Sequence, residues 1–445
     1  MSLPTYGEYK DSGIAWVGNV PEHWHVRPLL SVASERSVSN VALMENNLLS
    51  LSYGRIVRKD IDSNDGLLPE SFETYQIVYK DDIVMRLTDL QNDKRSLRSA
   101  QVQERGIITS AYLALQPIGV KSAFLSYLFR AYDLKKVFYS MGGGLRQSMK
   151  FSDLKRMPVI VPPTTEQAAL ATFLDRETAK IDALIAEQEK LIALLAEKRQ
   201  ATISHAVTKG LNPNAPMKDS GEAWTGEVPA HWHIAKLGLY ASVENGTTPS
   251  RAAPEYWDGG DIPWLASGEV NQLKITEASE FITAAALKKC SLRLLPAGTV
   301  VVGMIGQGKT RGMSAILSIP ATINQNLAAI CPGPRIEGLY ILYLLHAVYE
   351  WLREAGRGGN QAAMNCEILA ALRIPLPPLT EQRVIVDFVE VEAAKLDSLR
   401  AHAELAIALL KERRSVLIAA AVTGQIDVRG AMSHIAVASP EAIAA

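Results

Sequence analysis

The chain carries one plan twice. Residues 10–29, KDSGIAWVGNVPEHWHVRPL, return at 218–237 as KDSGEAWTGEVPAHWHIAKL, identical at thirteen of twenty positions. Further on, Pro162, Pro163, Thr165, Glu166 and Gln167 return as Pro377, Pro378, Thr380, Glu381 and Gln382. Ala206, Val207 and Thr208 return as Ala421, Val422 and Thr423, and both of these offsets are 215 residues. Stacked solenoid units repeat every 20–50 residues or so, far less than this. A whole domain and its connector have therefore been duplicated, which gives the chain internal pseudo-two-fold symmetry. Such symmetry suits a partner with two similar halves, as a DNA duplex has when two half-sites are read.

At 445 residues the length allows roughly three domains, and 48% hydrophobic with 21% charged residues is the composition of a globular protein. Lys and Arg number 46 against 47 Asp and Glu, a net charge of −1. That balance argues against gripping a polyanion over the whole surface, so any nucleic-acid contact is local or shared with partners. Cys290, Cys331 and Cys366 all fall in the second half. Their odd number and wide spacing suggest neither a disulfide framework nor a zinc site. The start, MSLPTYGEYKDSG, has no basic flank followed by an apolar core, and no apolar run reaches the roughly 18 residues of a membrane span. The expectation is a soluble cytoplasmic protein with no membrane partner.

Each entry motif leads into about 130 residues of short β-type runs, and then into a long helical segment. In the first mixed domain the runs are 82–87 and 107–115, and in the second 299–305 and 327–331. Helical stretches follow at 123–139 and 339–353, each ahead of a glycine-rich loop, 142–144 and 356–359. Thr165 and Thr380, between a diproline and Glu-Gln, read as N-caps of the two connectors. Leu174, Ile181 and Leu195 with Leu184 and Leu191 form a heptad seam, which returns as Val389, Leu396 and Leu410 with Leu399 and Ala406. Gln188 and Ala403 take the remaining seam positions and could set register. Forty helical residues span roughly 60 Å, and neither stripe can be buried alone. The two helices are expected to pack as an antiparallel coiled coil, a ruler between the mixed domains. The predicted fold is α+β. Its divisions are an entry segment completing the repeat cyclically (1–27), a first mixed domain (28–156) and a connector (157–212). A second entry motif and mixed domain (213–371), a second connector (372–430) and a flexible tail (431–445) follow.

Residues 303–310, GMIGQGKT, match the phosphate-loop pattern at every fixed position. That motif works where a strand feeds it and a helix leaves it, because the helix N-terminus supplies the phosphate-binding amides. Here RGMSAILSIP follows, broken by Gly and Pro, and it reads as turn then strand. The alternative is a hairpin tip presenting Gln307, Lys309, Thr310 and Arg311 to bases and phosphates. In the first domain Arg86, Gln91, Asn92, Lys94, Arg95 and Arg98, with Thr88 and Arg105, make a comparable basic, amide-rich patch between two strands. His23-Trp24-His25 and His231-Trp232-His233 have the spacing of a chelating pair but no third ligand. A buried tryptophan anchor flanked by partly exposed histidines is the preferred reading. No methyltransferase cofactor loop, Asn/Asp-Pro-Pro-aromatic motif or nuclease carboxylate-lysine cluster is present in the sequence. The expectation is a protein that recognises and does not catalyse.

The doubled PEHWHVRPL/PAHWHIAKL entry, the PPTTEQ/PPLTEQ helix starts, NGTTPSRAAPEYWDGGDIPWLASGEV from Asn245 and NQNLAAI from Asn324 resemble a type I restriction-modification specificity subunit over essentially the whole chain. The resemblance implies two target-recognition domains, each reading half of a bipartite sequence in double-stranded DNA, held apart by two antiparallel helices. It also implies two methyltransferase subunits that modify adenine N6 with S-adenosylmethionine, and restriction subunits that use ATP and Mg. The chain itself is expected to hold no cofactor and no metal. The first domain has SLSYGRIVRKD where the second has PWLASGEVNQ, so the halves should read different sequences. The rivals are a phosphate-loop enzyme and an assembly scaffold without DNA readout.

Overall fold

A computed structural model describes residues 4–61, 71–88, 97–141, 148–305, 309–355 and 364–430. The glycine-rich loop residues 142–144 and 356–359 and the tail 431–445 lie outside them. The chain forms two compact units, Met1–Gln188 with Leu405–Ala445, and Glu189–Glu404. Both connector helices, Thr164–Lys209 and Leu379–Val422, are therefore divided between units and do not form a domain of their own. The reason lies in what each half of a helix buries. Leu170, Phe173 and Leu174 join a core with Trp24 and Val159, whereas Ile203, Ala206 and Val207 join one with Trp232 and Val228.

In the first unit, Tyr9–Asp11 pairs antiparallel with Asn19–Pro21, and His25–Pro28 with Pro158–Val161. A four-stranded antiparallel sheet follows in the order Ala33–Arg36, Leu113–Pro117, Ile83–Met85, Ser99–Gln101. The helix Ser122–Leu134 buries Phe124, Leu125, Leu128, Phe129 and Tyr132, the stripe expected of a period of about 3.6 residues. A second hairpin joins Leu49–Ser52 to Arg55–Arg58 through Tyr53 and Gly54. Both turn residues have positive φ, 46° and 74°, as a two-residue turn matched to strand twist requires. Gly54 also packs closely, since a Cβ there would come within 2.4 Å of Arg130 Nη2.

The second unit repeats the frame. Met217–Asp219 pairs with Glu227–Pro229, and His233–Lys236 with Arg373–Leu376. Its sheet runs Ala241–Asn245, Leu327–Pro332, Val300–Gly303, Ser314–Leu317, Lys274–Ile275, with only the last pair parallel. The helix Gly338–Ala347 buries every residue from Tyr340 to Leu345. A smaller sheet of Glu280–Ile282, Ile262–Leu265 and Thr322–Ile323, with Trp264 in its core, is built on the insertion after Asn245.

Several elements differ from the sequence reading. Residues 107–115 form two strands, Gly106–Ile108 and Leu113–Pro117, because Thr109 to Tyr112 close a turn, Tyr112 N–H donating to Thr109 O at 3.1 Å. The helical stretch 123–139 stops at Leu134, with Lys136 at φ 60°, and 339–353 is two helices meeting at Val348. The connectors start at Thr164 and Leu379, so Thr165 and Thr380 lie inside the first turn. Pro163 and Pro378 carbonyls accept the first bonds, from the Gln167 and Gln382 N–H groups.

Only part of the expected seam turns inward. Leu174, Ile181, Leu195, Val389 and Leu396 are buried and Leu410 is half-buried, whereas Leu184, Leu191 and Leu399 are 51%, 40% and 53% exposed. The stripe that turns inward steps by four and three through Thr178, Ile185, Ile192 and Arg199, and in the copy through Ala393, Ile407 and Arg414. Both alternatives carry apolar residues in the sequence, and polar pairing goes with the one that turns inward. Arg414 lies 3.5 Å from Asp182 in the first unit, and Arg199 lies 3.6 Å from Asp397 in the second. These are the same pair displaced by 215 residues. In each unit they join an early stretch of one helix to a late stretch of the other, so the helices run antiparallel.

Candidate nucleic-acid interface

Each entry motif is locked to a connector helix through one carboxylate. Trp24 is fully buried and its Nε1–H donates to Glu166 Oε2 at 3.0 Å, while His23 Nε2 lies 2.7 Å from Oε1. Tyr6 OH donates to the same carboxylate at 3.2 Å, and burial first, then Glu166, holds its hydroxyl well above the ordinary tyrosine range. In the second unit Trp232 Nε1–H donates to Glu381 at 3.0 Å and His231 Nε2 lies 2.9 Å from it. Gln167 and Gln382 act alike: each donates to the first proline carbonyl of its own diproline and accepts a backbone N–H, from Lys121 and Glu337 respectively. The Glu-Gln pair is thus structural, fastening domain to helix. Among the described residues no group of three His, Cys, Asp or Glu side chains is placed to hold a metal. None of their helices is long and apolar enough to cross a membrane.

The two patches singled out in the sequence occupy one topological position. Residues 86–98 join the third and fourth strands of the first sheet, and 304–313 join the corresponding strands of the second. Gly303 N–H donates to Met313 O at 2.9 Å and Gly312 N–H to Gly303 O at 2.8 Å, so the phosphate-loop match is the stem of a β-hairpin. The strand Ser314–Leu317 leaves it, where the phosphate-loop motif requires a helix. Gly303 has a local cause, since a Cβ there would stand 2.5 Å from Thr310 O, and Gly312, beyond the motif, has φ +83°. The nucleotide-binding reading therefore loses its structural basis.

Of the predicted readers, Gln91, Asn92, Lys94, Arg95 and Gln307 lie outside the described residues. Lys309 is exposed, and Arg86 and Thr310 are half-buried. Arg98 requires a correction. It is fully buried, its Nη1 donating to Thr88 O at 2.8 Å and Arg86 O at 3.2 Å and its Nε to Tyr139 OH at 3.0 Å. A side chain so placed braces the loop stem and does not reach a base. Arg311 is half-buried and donates to Arg353 O at 2.7 Å, so it too is engaged by the protein.

The sheet also places beside the second hairpin two loops that sequence reasoning used only as a fingerprint. Asn245 pairs with Ala328 and Gly303 with Leu327, so residues 246–250 and 324–326 leave the same sheet edge as the hairpin. Met304 N–H donates to Asn326 O at 2.9 Å, and Thr248 Oγ1 to Gln325 Oε1 at 2.5 Å. Gly246 is tight against Ile323 O, 1.7 Å from where a Cβ would sit. Arg251 stacks on Trp257 at 3.8 Å and pairs with Glu280 at 2.6 Å, anchoring the loop. The signal was present: a glycine and an amide triplet, each flanking a strand that pairs at this edge.

Residues 229–401 match the family model described as type I restriction modification DNA specificity domain. The chain is 33% identical over 165 residues to the type I restriction enzyme MjaIX specificity subunit of Methanocaldococcus jannaschii, covering 36% of this chain. It is 28% identical over 160 residues, 35% of this chain, to the EcoR124I/EcoR124II specificity subunit of Escherichia coli. These matched stretches span 37% and 39% of the two relatives' own lengths. Over nearly the full length, the fold is similar to that of the HsdS subunit from Thermoanaerobacter tengcongensis, with a TM-score of 0.54, 17% identity and coverage of 92% of this chain and 98% of that one. Residues 229–401 are thus similar to type I restriction modification DNA specificity domains, and the chain as a whole shares its fold with an HsdS subunit.

Proposed function

We propose that the chain is the non-catalytic DNA-reading subunit of a type I restriction-modification complex, each unit reading one half of a bipartite target. The observation that carries this reading is a pair of hairpins at one position of two equivalent sheets, alike in framework and unlike in sequence. Amide and basic side chains at such a position suit base edges in the major groove. The readers proposed are Arg86, Gln91, Asn92, Lys94 and Arg95 for one half-site, and Gln307, Lys309 and Thr310 for the other. The connector helices set the number of base pairs between half-sites. Their outward leucines, Leu184, Leu191 and Leu399, are left for partner subunits. Those partners are two methyltransferase subunits using S-adenosylmethionine and restriction subunits using ATP and Mg, in the cytoplasm. A net charge of −1 fits a DNA clamp whose basic surface is largely supplied by partners.

The test is to replace residues 241–353 by the equivalent stretch of a relative and map methylated adenines in cells. One half of the methylated sequence should change and the other persist. If both change together, the units are not independent readers. If methylation does not follow this chain at all, it is not the reader.

A further inference from the structure

Both hairpin stems are pinned by an arginine–tyrosine pair, and the two pairs are built from different residues. In the first unit Arg86 N–H donates to Arg98 O at 2.8 Å. The Arg98 guanidinium then reaches forward to the Thr88 and Arg86 carbonyls on the outgoing arm, and its other edge meets Tyr139 OH, with the ring 5.1 Å below. Asp133 on the helix Ser122–Leu134 accepts the Arg98 N–H at 2.8 Å. In the second unit it is the returning arm that is held. Tyr349 OH donates to Lys309 O at 2.7 Å, Arg353 Nη1 donates to Tyr349 OH at 2.7 Å, and Arg311 donates to Arg353 O. The Arg353 guanidinium lies 5.3 Å from the Tyr349 ring.

We infer that Arg98 with Tyr139, and Tyr349 with Arg353, are positioning residues that set the direction of the two recognition hairpins and so the fidelity of each half-site. The inference rests on the DNA-reading role proposed above. The Arg98 guanidinium meets the Arg86 and Thr88 carbonyls together, and a planar guanidinium offers several donors in a fixed fork that a lysine cannot reproduce. A fully buried arginine is costly unless its donors are met, so its use inside a loop stem calls for an explanation other than general stability. The arginine comes from the hairpin in one unit and from the helix after the sheet in the other. Inheritance from the duplicated frame would have preserved one arrangement, whereas a shared need to fix the stem allows two.

The variants are Arg98→Lys and Tyr139→Phe in the first unit, and Arg353→Lys and Tyr349→Phe in the second. Each is made in the full chain and expressed with its partner subunits, and methylated adenines are mapped. The first pair should raise methylation of sites mismatched in one half-site by about tenfold relative to the intact target, leaving the other half-site unaltered. The second pair should do the same to the opposite half. Methylation that falls with its sequence unchanged in both halves, alongside a lower melting temperature, would mean these pairs only stabilise the fold and would overturn the proposal. The two phenylalanine variants remove one hydroxyl each and keep the inference testable should a lysine variant not fold. A wild-type chain giving no bipartite methylation at all would instead refute the DNA-reading role.

Discussion

The tryptophan anchors of the two units are near copies, whereas the hairpin stems are not. Trp24 and Trp232 are both fully buried, both donate to the glutamate of a Glu-Gln pair, and both pack on a glycine that ends a connector helix, Gly424 and Gly210. Each unit thus fits the end of one helix and the start of the other around one indole. The hairpins share their topological position and an arginine–tyrosine brace, but not the residues that form it. Where both units fasten to the same pair of helices the sequence repeats, and in the hairpin stems it does not. Even the anchors differ in degree. Glu166 receives Trp24, His23 and Tyr6 and has a side chain 9% exposed, while Glu381 receives two partners and is 30% exposed.

The equivalence of the anchors is challenged most strongly by Trp24→Ala and Trp232→Ala. Each should cost about 3–5 kcal/mol, as large-to-small changes in a packed core do. Denaturant unfolding followed by hydrogen exchange in each unit should show the loss confined to the unit that carries the change, and a loss shared by both would break the comparison.

Next come the carboxylates. Glu166→Ala leaves the buried Trp24 Nε1 and Tyr6 OH without their acceptor and should cost about 3 kcal/mol, against about 1 kcal/mol for the more exposed Glu381→Ala. Equal losses would show that the extra tyrosine contact contributes nothing.

At the hairpins, Lys309→Ala should weaken DNA binding by about 1–3 kcal/mol if Lys309 meets a base of the second half-site. ATP use by the assembled complex per bound DNA should be unchanged. A specific ATP affinity of the chain alone that this substitution abolishes would restore the phosphate-loop reading.

The smallest expected difference lies in the turns that follow the helices. Asp427 accepts the Arg429 N–H at 3.0 Å, while at the corresponding place Asn212 accepts the Asn214 N–H at 3.0 Å. The Arg429 guanidinium holds the Asp427 carboxyl below its ordinary value. Its contribution is complete above the unfolded value of about 3.9 and is lost as pH falls through the folded value. Exchange protection around 425–429 should therefore drop on acidification below about pH 4, with no matching drop at 211–214. Asp427→Asn should remove that difference.

Much of this could be read from residue order alone. The repeat pointed to two equivalent units, the diprolines and Glu-Gln pairs placed the starts of the long helices to within two residues, and the Gly and Pro after Lys309 argued against a helix there. These features are local, and short-range backbone rules decide them. Tertiary structure decided the rest, because the remaining choices lay between alternatives of equal local merit. Leu184 and Ile185 are both apolar, and the buried face is the one that sets Asp182 against Arg414. Arg98 stands among basic residues suited to DNA, and only the arrival of Tyr139 and the Arg86 and Thr88 carbonyls around it turns a reader into a brace. The insertion after Asn245 lies beside the second hairpin only because its strand pairs with Leu327–Pro332. A side chain's role depends on what packs against it from distant parts of the chain, and neither spacing nor composition contains that information.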